Sequence, residues 1–328
     1  MEGISGSQML IGLFIGLIVL ILLILKTKLH VFVALIVSSC IIGLIGGMQP
    51  NDVVTSITDG FGGTLGSIGI IIGFGVMMGQ VFEMSGAAER MAKTFLKIFG
   101  KGHEELAMAI TGFLVSIPIF CDSGFVILSP LAKAISKQTK KSMVSLSVAL
   151  AAGLVITHSL VPPTPGPLGV AGTFGVDIGK FLLLGIVIAL PMAIVCMFYG
   201  KWLGKKIYQL PSEDGEGWVR PAYQKPVYSF IDETGTRKMP STFAAFAPLL
   251  LPILLILLNT VFSAMGKTEG FFQILIFLGK PIIAVALGLI VAIYTLTRDM
   301  SREEVISKME ESIKSAGIII LVTGGGGA

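Results

Sequence analysis

Long apolar runs separated by short polar connections dominate this chain. A helical crossing of a bilayer needs about 20 predominantly apolar residues. On that measure the runs predict membrane spans at residues 8–25, 29–47, 61–83, 143–161, 179–199, 243–264 and 271–297. Residues 104–135 predict an interrupted pair of half-helices, which is either a re-entrant hairpin or a double crossing. The pattern therefore predicts an all-α polytopic membrane protein.

The composition supports this class. Hydrophobic residues make up 53% of the 328 and charged residues only 13%, with a mean hydropathy of +0.88. Soluble domains carry about 25% charged residues. Residues 1–8 contain no Lys or Arg, and no small-residue cleavage site follows, so the first run is predicted to be a span rather than a signal peptide.

Sequence spacing argues against several kinds of site. Cys40, Cys121 and Cys196 are too far apart along the chain to suggest a disulfide framework or a metal site. The basic residues stand in short loops between apolar runs, so the net charge of +4 does not indicate a nucleic-acid partner. We expect neither a cofactor nor a bound metal.

The positions of Lys and Arg predict the sidedness of the connections. Cytoplasmic loops of membrane proteins carry the excess of these residues. The connections 48–60 and 162–178 contain none, whereas basic residues concentrate at 26–28, 90–101, 133–141 and 201–238. The basic connections are therefore predicted to be cytoplasmic, which places the N-terminus outside.

A short motif occurs twice. Ser67–Ile72 recurs as Ser315–Ile320, and on the predicted topology the two copies cross the membrane in opposite directions. Inverted repeats of this kind are typical of secondary transporters, whose site lies near the midplane where broken helices meet. A chance match of six Ile-rich residues is the alternative.

The repeat predicts the organisation of the chain. A first transmembrane repeat is expected at 1–199, with the hairpin at about 104–135 inside it, and a polar cytoplasmic linker at 200–240. Residues 241–328 are expected to be the start of a second repeat. Because residue 328 falls within what would be a further span, we expect the second repeat to be incomplete and the chain to be truncated at its C-terminus.

An acid stands inside an apolar stretch. Asp122 lies near the middle of residues 110–130, next to Ser123 and Gly124. An ionisable group in the bilayer costs about 2.5–3.5 kcal/mol on insertion scales and normally faces a cavity or a partner. Asp122 is therefore a candidate proton carrier or site-ordering carboxylate. The alternative is an N-cap for a helix that begins near Gly124, where Asp is favoured.

A second candidate cluster surrounds a histidine. His158 lies at the end of a predicted span, between Thr157 and Ser159, and a proline-rich run follows at 162–167. Histidine titrates near physiological pH, which suits a proton relay. The run is predicted not to be helical, because its prolines remove amide donors, and it would present carbonyls and the Thr164 hydroxyl to a polyol. A structural histidine and a tight external turn are the alternatives.

Several segments resemble the gluconate permease family of proton-coupled symporters. The similar segments are Asp59–Gly69 (DGFGGTLGSIG), Ser85–Arg90 (SGAAER), Ile117–Pro130 (IPIFCDSGFVILSP) and, most specifically, His158–Gly172 (HSLVPPTPGPLGVAG). The family is similar to a wider superfamily built from two inverted halves with opposed hairpins. Its members take up gluconate and related sugar acids, and relatives carry other small hydroxylated acids or D-serine.

The resemblance implies a secondary active transporter in the bacterial inner membrane rather than an enzyme. Its expected partners are a small carboxylate substrate, a proton and membrane lipid, with a homodimer as a further expectation. Less favoured alternatives are a channel and an intramembrane enzyme that uses Cys121, Asp122 and His158. The expected substrate-binding residues are Asp122, Ser123, Gly124, Thr157, Ser159 and Thr164, and the expected proton-coupling residues are Asp122 and His158. Glu83, at the end of the third span, is predicted to be an interfacial charge.

Overall fold

The computed structural model describes residues 6–99, 102–212, 217–223, 239–266 and 269–328. Within these ranges the chain forms thirteen helices and one two-stranded antiparallel ribbon. In chain order the elements are α1 (Gly6–Leu25), α2 (Val31–Ile45), α3 (Pro50–Ser85), α4 (Ala87–Phe99), α5 (Glu104–Val115), α6 (Cys121–Thr139), α7 (Met143–Leu160), α8 (Pro165–Phe174), α9 (Ile178–Lys206), β1 (Leu210–Pro211), β2 (Trp218–Val219), α10 (Thr242–Ala264), α11 (Phe271–Leu278), α12 (Pro281–Leu296) and α13 (Arg302–Gly327).

Local chemistry sets many of the helix boundaries. Proline is the first residue of α3, α8 and α12, where its missing N–H costs nothing and its fixed φ suits the first turn. Gly86 ends α3 with φ +72° and Gly175 ends α8 with φ +61°. Glycine adopts this left-handed conformation without the steric penalty that a Cβ imposes.

The helices confirm the predicted class. Within the described residues, five stretches are long and apolar enough to cross a membrane: α1, α3, α9, α10 and the pair α7–α8, which counts as one span over Met143–Phe174. The pair α11–α12 makes a sixth if it is counted as one span, and α2 is a shorter apolar helix. The chain is therefore an all-α polytopic membrane protein.

Four predicted boundaries are wrong. Helix α3 begins at Pro50 rather than near residue 61. The span predicted at 271–297 is two helices bent by 73° at a short break. Helix α9 continues to Lys206, so the polar linker starts later than residue 200. The proline run at 162–167 is only partly irregular, because Pro165 opens α8; His158 therefore lies inside a broken span and not at its outer end.

Helices α5 and α6 form the predicted interrupted hairpin, and its two ends meet. Lys141 Nζ, just after α6, donates to the carbonyl of Gly102 at 2.9 Å, lies 2.7 Å from a Glu104 carboxylate oxygen and pairs with Glu105. Helix α5 has 12 residues and so spans about 18 Å, well short of the roughly 30 Å of a bilayer core. Helix α6, with 19 residues, spans about 28 Å, so the short α5 favours a re-entrant hairpin while the length of α6 does not.

Helices α5 and α7 run parallel and touch through glycines. Ser145 of α7 donates to Glu105 near one end of the pair, and Phe113 and Ile156 share a buried cluster near the other. A Cβ built on Gly153 would collide with backbone atoms of Ala109 and Phe113. The hairpin is thus held against α7 at backbone-to-backbone distance, as in membrane helix pairs with small residues at the contact.

This contact predicts opposite effects for two glycine substitutions. Gly153→Ala is expected to destabilise the protein by about 1–3 kcal/mol, because the methyl group overpacks the α5–α7 contact. Gly66→Ala, inside α3 with nothing within 4 Å of the added Cβ, is expected to be neutral or to stabilise by up to about 1 kcal/mol. Thermal unfolding of both variants in detergent tests this, and equal melting temperatures would contradict the packing argument.

Helices α3 and α13 pack antiparallel and contain the two copies of the repeated motif. A Cβ on Gly60, early in α3, would meet the carbonyl of Gly327 at the end of α13. At the opposite end, Glu83 of α3 and Lys308 of α13 line the same pocket. Ile68, Ile71 and Ile72 from the first copy share a buried cluster with Ala316 and Ile320 from the second. The two copies therefore lie side by side and run in opposite directions.

The polar linker is anchored at both ends. Strands β1 and β2 pair within it, and Trp218 lies under Lys133 of α6, with the ammonium 5.2 Å from the ring centroid. Arg90 of α4 donates to the carbonyl of Pro240 at 2.7 Å, just before α10. The contact of α4 with the start of α10 adds to the packing between the two groups of spans.

Candidate functional site

Two helix breaks meet beside the middle of α3. One break is the segment between α5 and α6, and the other is the turn between α7 and α8. Together they enclose a pocket of about 20 Å³, called here the tip pocket. It is lined by Ile72, Gly75 and Val76 of α3, Ile117, Pro118, Ile119 and Phe120 of the first break, and His158, Pro163, Thr164 and Pro165 of the second. Its volume accommodates about one water molecule.

Phe120 and His158 connect the two breaks. Their rings meet edge to face with centroids 5.6 Å apart. Phe120 is also the N-cap residue of α6 and makes no side-chain capping hydrogen bond. The N-terminus of α6, which carries partial positive charge, therefore begins at the tip pocket. The N-terminus of α6 is therefore a candidate binding position for a carboxylate, because helix N-terminal amides bind anions.

Thr164 closes the other side of the tip pocket. It is 3% exposed, and its hydroxyl donates to the carbonyl of Val161 at 2.7 Å. Pro165 and Pro167, in the first turn of α8, have no amide hydrogen. The start of α8 is thus poor in donors, and its polar capacity lies mainly in carbonyls and in the remaining lone pairs of Thr164.

Two buried hydroxyl groups lie close to the two helix breaks. Ser116 at the end of α5 and Thr157 in α7 are each 0% exposed. Within the described residues, neither hydroxyl oxygen has a hydrogen-bond partner. Leaving a buried polar group unsatisfied costs about 1–3 kcal/mol. Both hydroxyl groups are therefore free to bind a water molecule or a polar group that enters beside the helix breaks.

A larger pocket lies on the other side of the first break. This vestibule has a volume of about 250 Å³ and is lined by Val76, Gly79, Gln80 and Glu83 of α3, Pro118, Ile119 and Phe120 of the break, and Lys308, Glu311 and Ser312 of α13. Lys308 pairs with Glu311 at 2.8 Å. The vestibule shares Val76 and the segment Pro118–Phe120 with the tip pocket, so that thin segment separates the two.

The structure brings some of the predicted site residues together. His158 and Thr164 line the tip pocket, and Thr157 is buried close to it. Ser159 is exposed and lines neither pocket. Gly124 is buried, and a Cβ there would meet the side chain of Leu154, so its immediate neighbour is α7.

Asp122 and Ser123 occupy the first turn of α6, while their side chains lie outside the described part of the structure. The alternative that Asp122 is an N-cap is wrong. Helix α6 begins at Cys121 with Phe120 as its N-cap, because the chain turns helical directly after the break. Asp122 is the second helical residue and follows two positions after Phe120, which lines the tip pocket.

The vestibule contains polar residues that the sequence analysis missed. Gln80, Lys308 and Ser312 come from two helices more than 200 positions apart, and Glu83 was expected to be an interfacial charge. The repeated motif was the available signal, because pairing its copies antiparallel places the end of α3 beside the start of α13.

Comparison with known proteins gives the family. A family model described as GntP family permease matches residues 8–328. An uncharacterized permease of Haemophilus influenzae is 48% identical over 97% of this chain and 66% of its own. A gluconate permease of Pseudomonas aeruginosa is 35% identical over 100% and 71%, and a D-serine transporter of Escherichia coli O6:H1 is 34% identical over 96% and 69%.

These matches confirm the predicted resemblance to the gluconate permease family. The chain spans about two thirds of the length of these relatives. The family model and the named relatives describe permeases and transporters rather than enzymes, in agreement with the sequence analysis. The chain is therefore a multi-pass integral membrane protein of the GntP permease family.

Proposed function

We propose that the protein is a proton-coupled symporter that takes up gluconate or a related sugar acid across the bacterial inner membrane. The observation that carries the proposal is the meeting of two helix breaks at the tip pocket, next to a polar vestibule. Broken helices at membrane depth line the substrate site of many secondary transporters. Relatives named as gluconate permeases and as an L-idonate transporter support the substrate class.

The vestibule supports the choice of a hydroxylated substrate. It offers the side chains of Gln80 and Ser312 for hydroxyl groups, while its Lys308 ammonium is paired with Glu311. Beyond the segment Pro118–Phe120, the N-terminus of α6 offers a place for the carboxylate, and Thr157 and Thr164 offer hydroxyls. The tip pocket holds about one water molecule, so it has to widen before substrate can enter it from the vestibule.

Proton coupling is assigned to Asp122 and His158. Both lie within one helical turn of the breaks, where a bound proton and a bound anion can stabilise each other. The inverted arrangement of α3 and α13 supports two repeats, at 1–199 and from 241 onward, joined by a cytoplasmic linker. The basic connections support an N-terminus on the outside. The homodimer stays a prediction.

His158→Gln is expected to lower uptake roughly tenfold, equivalent to about 1.4 kcal/mol on one step, and to flatten its pH dependence between about pH 5 and 8. The reason is that glutamine keeps hydrogen-bonding capacity but cannot carry the proton. Initial rates of radiolabelled gluconate uptake across this pH range measure the effect. His103→Gln, an exposed residue before α5, is the matched control and should leave the profile unchanged.

The function itself is tested with the full-length protein in proteoliposomes under an imposed pH gradient. Uptake of gluconate that collapses with a protonophore supports the proposal. Competition by D-serine or glycerate with no uptake of gluconate would keep the transport mechanism and replace the substrate. The absence of gradient-dependent flux for every small acid would overturn the proposal.

A further inference from the structure

A basic pocket lies at the end of α9, away from the transport site. It has a volume of about 220 Å³ and is formed where the turn between α6 and α7 meets the last turns of α9 and the start of the linker. We call it the lysine pocket. Its lysines are Lys140, Lys141, Lys201 and Lys205, and its other polar side chains include Glu105, Ser142, Ser145 and the two tyrosines Tyr208 and Tyr223.

The charges of the lysine pocket do not cancel. Glu105 is the acidic residue of its wall, and it is already paired with Lys141, as is Glu104. Attraction to these carboxylates outweighs burial, which alone would lower the pKa of Lys141, so that its pKa is raised. Among the described residues, no carboxylate forms an ion pair with Lys140, Lys201 or Lys205. The pocket therefore carries a net positive charge that suits an anion.

The floor of the lysine pocket is rigid. Lys140 has a left-handed backbone with φ +57°, and its carbonyl accepts a hydrogen bond from the Tyr208 hydroxyl at 2.8 Å. The Ser142 hydroxyl donates to the carbonyl of Ile207 at 3.0 Å and accepts from the amide of Gln209 at 3.2 Å. These bonds tie the α6–α7 turn to the chain after α9, so Lys140 of the turn and the lysines of α9 line one pocket.

The pocket lies at the depth of lipid headgroups. Helix α9 has 29 residues and spans about 44 Å, longer than the roughly 30 Å bilayer core. Tyr199 and Trp202, in the turns beside the pocket, are 53% and 49% exposed. Exposed Tyr and Trp at the end of a span mark the membrane–water interface. Basic pockets between helices on this side bind the headgroups of anionic lipids.

We propose that the lysine pocket binds the phosphate of an anionic phospholipid. Lys201 and Lys205 face the phosphate from α9, and Lys140 faces it from the α6–α7 turn. The site joins the base of the re-entrant hairpin to α9, so a bound lipid bridges the two. The proposal concerns lipid binding alone and does not depend on which substrate the protein carries.

Native mass spectrometry of the purified protein in detergent tests this site. The protein is titrated with phosphatidylglycerol, with phosphatidylcholine and, in a separate arm, with inorganic phosphate. The wild type is expected to retain phosphatidylglycerol in preference to phosphatidylcholine. In the variant Lys201→Gln/Lys205→Gln, the ratio of bound phosphatidylglycerol to bound phosphatidylcholine is expected to fall about fivefold for each lysine replaced. Lys206→Gln is the matched control, because Lys206 stands over the Trp202 ring at 4.4 Å and outside the pocket wall.

The outcomes separate a defined site from general surface charge. A loss in the double variant with little change in Lys206→Gln supports the proposal. An equal loss in the double variant and in Lys206→Gln would show that surface charge alone attracts the lipid. That result would overturn the proposal. Binding of inorganic phosphate that depends on Lys201 and Lys205, without preference for phosphatidylglycerol, would overturn the assignment to a lipid.

Discussion

Replacing Asp122 with Asn is expected to abolish proton-driven accumulation of substrate, while exchange of labelled for unlabelled substrate across the membrane should continue. Asparagine matches the shape of a protonated aspartate but cannot release or take up a proton. Asp122 lies in the first turn of α6, directly after the break that lines both pockets. The measurement is gluconate accumulation in proteoliposomes with and without an inward proton gradient, with counterflow recorded on the same preparations.

Asp177→Asn is the matched control for this result. Asp177 caps α9 and accepts a hydrogen bond from the amide of Lys180 at 2.8 Å. Asparagine is an equally good N-cap, so accumulation by this variant should match the wild type. Gradient-driven accumulation that persists in Asp122→Asn would contradict the coupling role. Loss of counterflow together with accumulation would instead assign Asp122 to substrate binding.

Lys141→Met is expected to cause the largest loss of stability. Lys141 neutralises Glu104 and Glu105, and all three side chains are less than 10% exposed. Removing one partner of a buried ion pair costs about 3–5 kcal/mol, because the remaining charges are buried without compensation. The closure of the hairpin base depends on the same contacts. Thermal unfolding in detergent should show a large fall in the melting temperature.

Two further variants identify the cause of that loss. Lys93→Met breaks the pair between Lys93 and Glu89 one turn apart in α4, and pairs of this kind contribute only about 0.2–0.5 kcal/mol. The triple variant Lys141→Met/Glu104→Gln/Glu105→Gln removes the uncompensated charges and should recover much of the stability. A triple variant as unstable as Lys141→Met alone would show that lost packing, not buried charge, is the cause.

The sequence alone was sufficient to predict the helices in segments where length and polarity determine the structure. The apolar runs near 8–25, 143–161 and 243–264 each correspond to a helix, because a bilayer leaves the backbone few alternatives. The interruption between Pro118 and Asp122 was also predictable, since a proline and an acid in an apolar stretch both disfavour a continuous span. The repeated motif predicted that its two copies run in opposite directions, as α3 and α13 do.

The sequence alone was insufficient to predict the features that depend on tertiary packing. Pro165 was expected to prevent helix, yet it opens α8 because the first turn needs no amide donor. The break between α11 and α12 falls at Gly279 and Lys280, where a Cβ on Gly279 would meet the carbonyl of Leu255. That close approach to α10 is a property of the folded protein. The vestibule was missed for the same reason, since its polar residues meet only when α13 packs on α3.

The segment Pro118–Phe120 has a consequence for the energetics of the cell membrane. A transporter dissipates ion gradients if ions leak through it, and this segment is the wall between the vestibule and the tip pocket. Here the wall consists of proline, isoleucine and phenylalanine, backed by Val76. Such side chains offer no hydrogen bonds to a hydrated ion, and desolvating a charge is costly. The segment thus opposes the passage of hydrated ions between the two pockets.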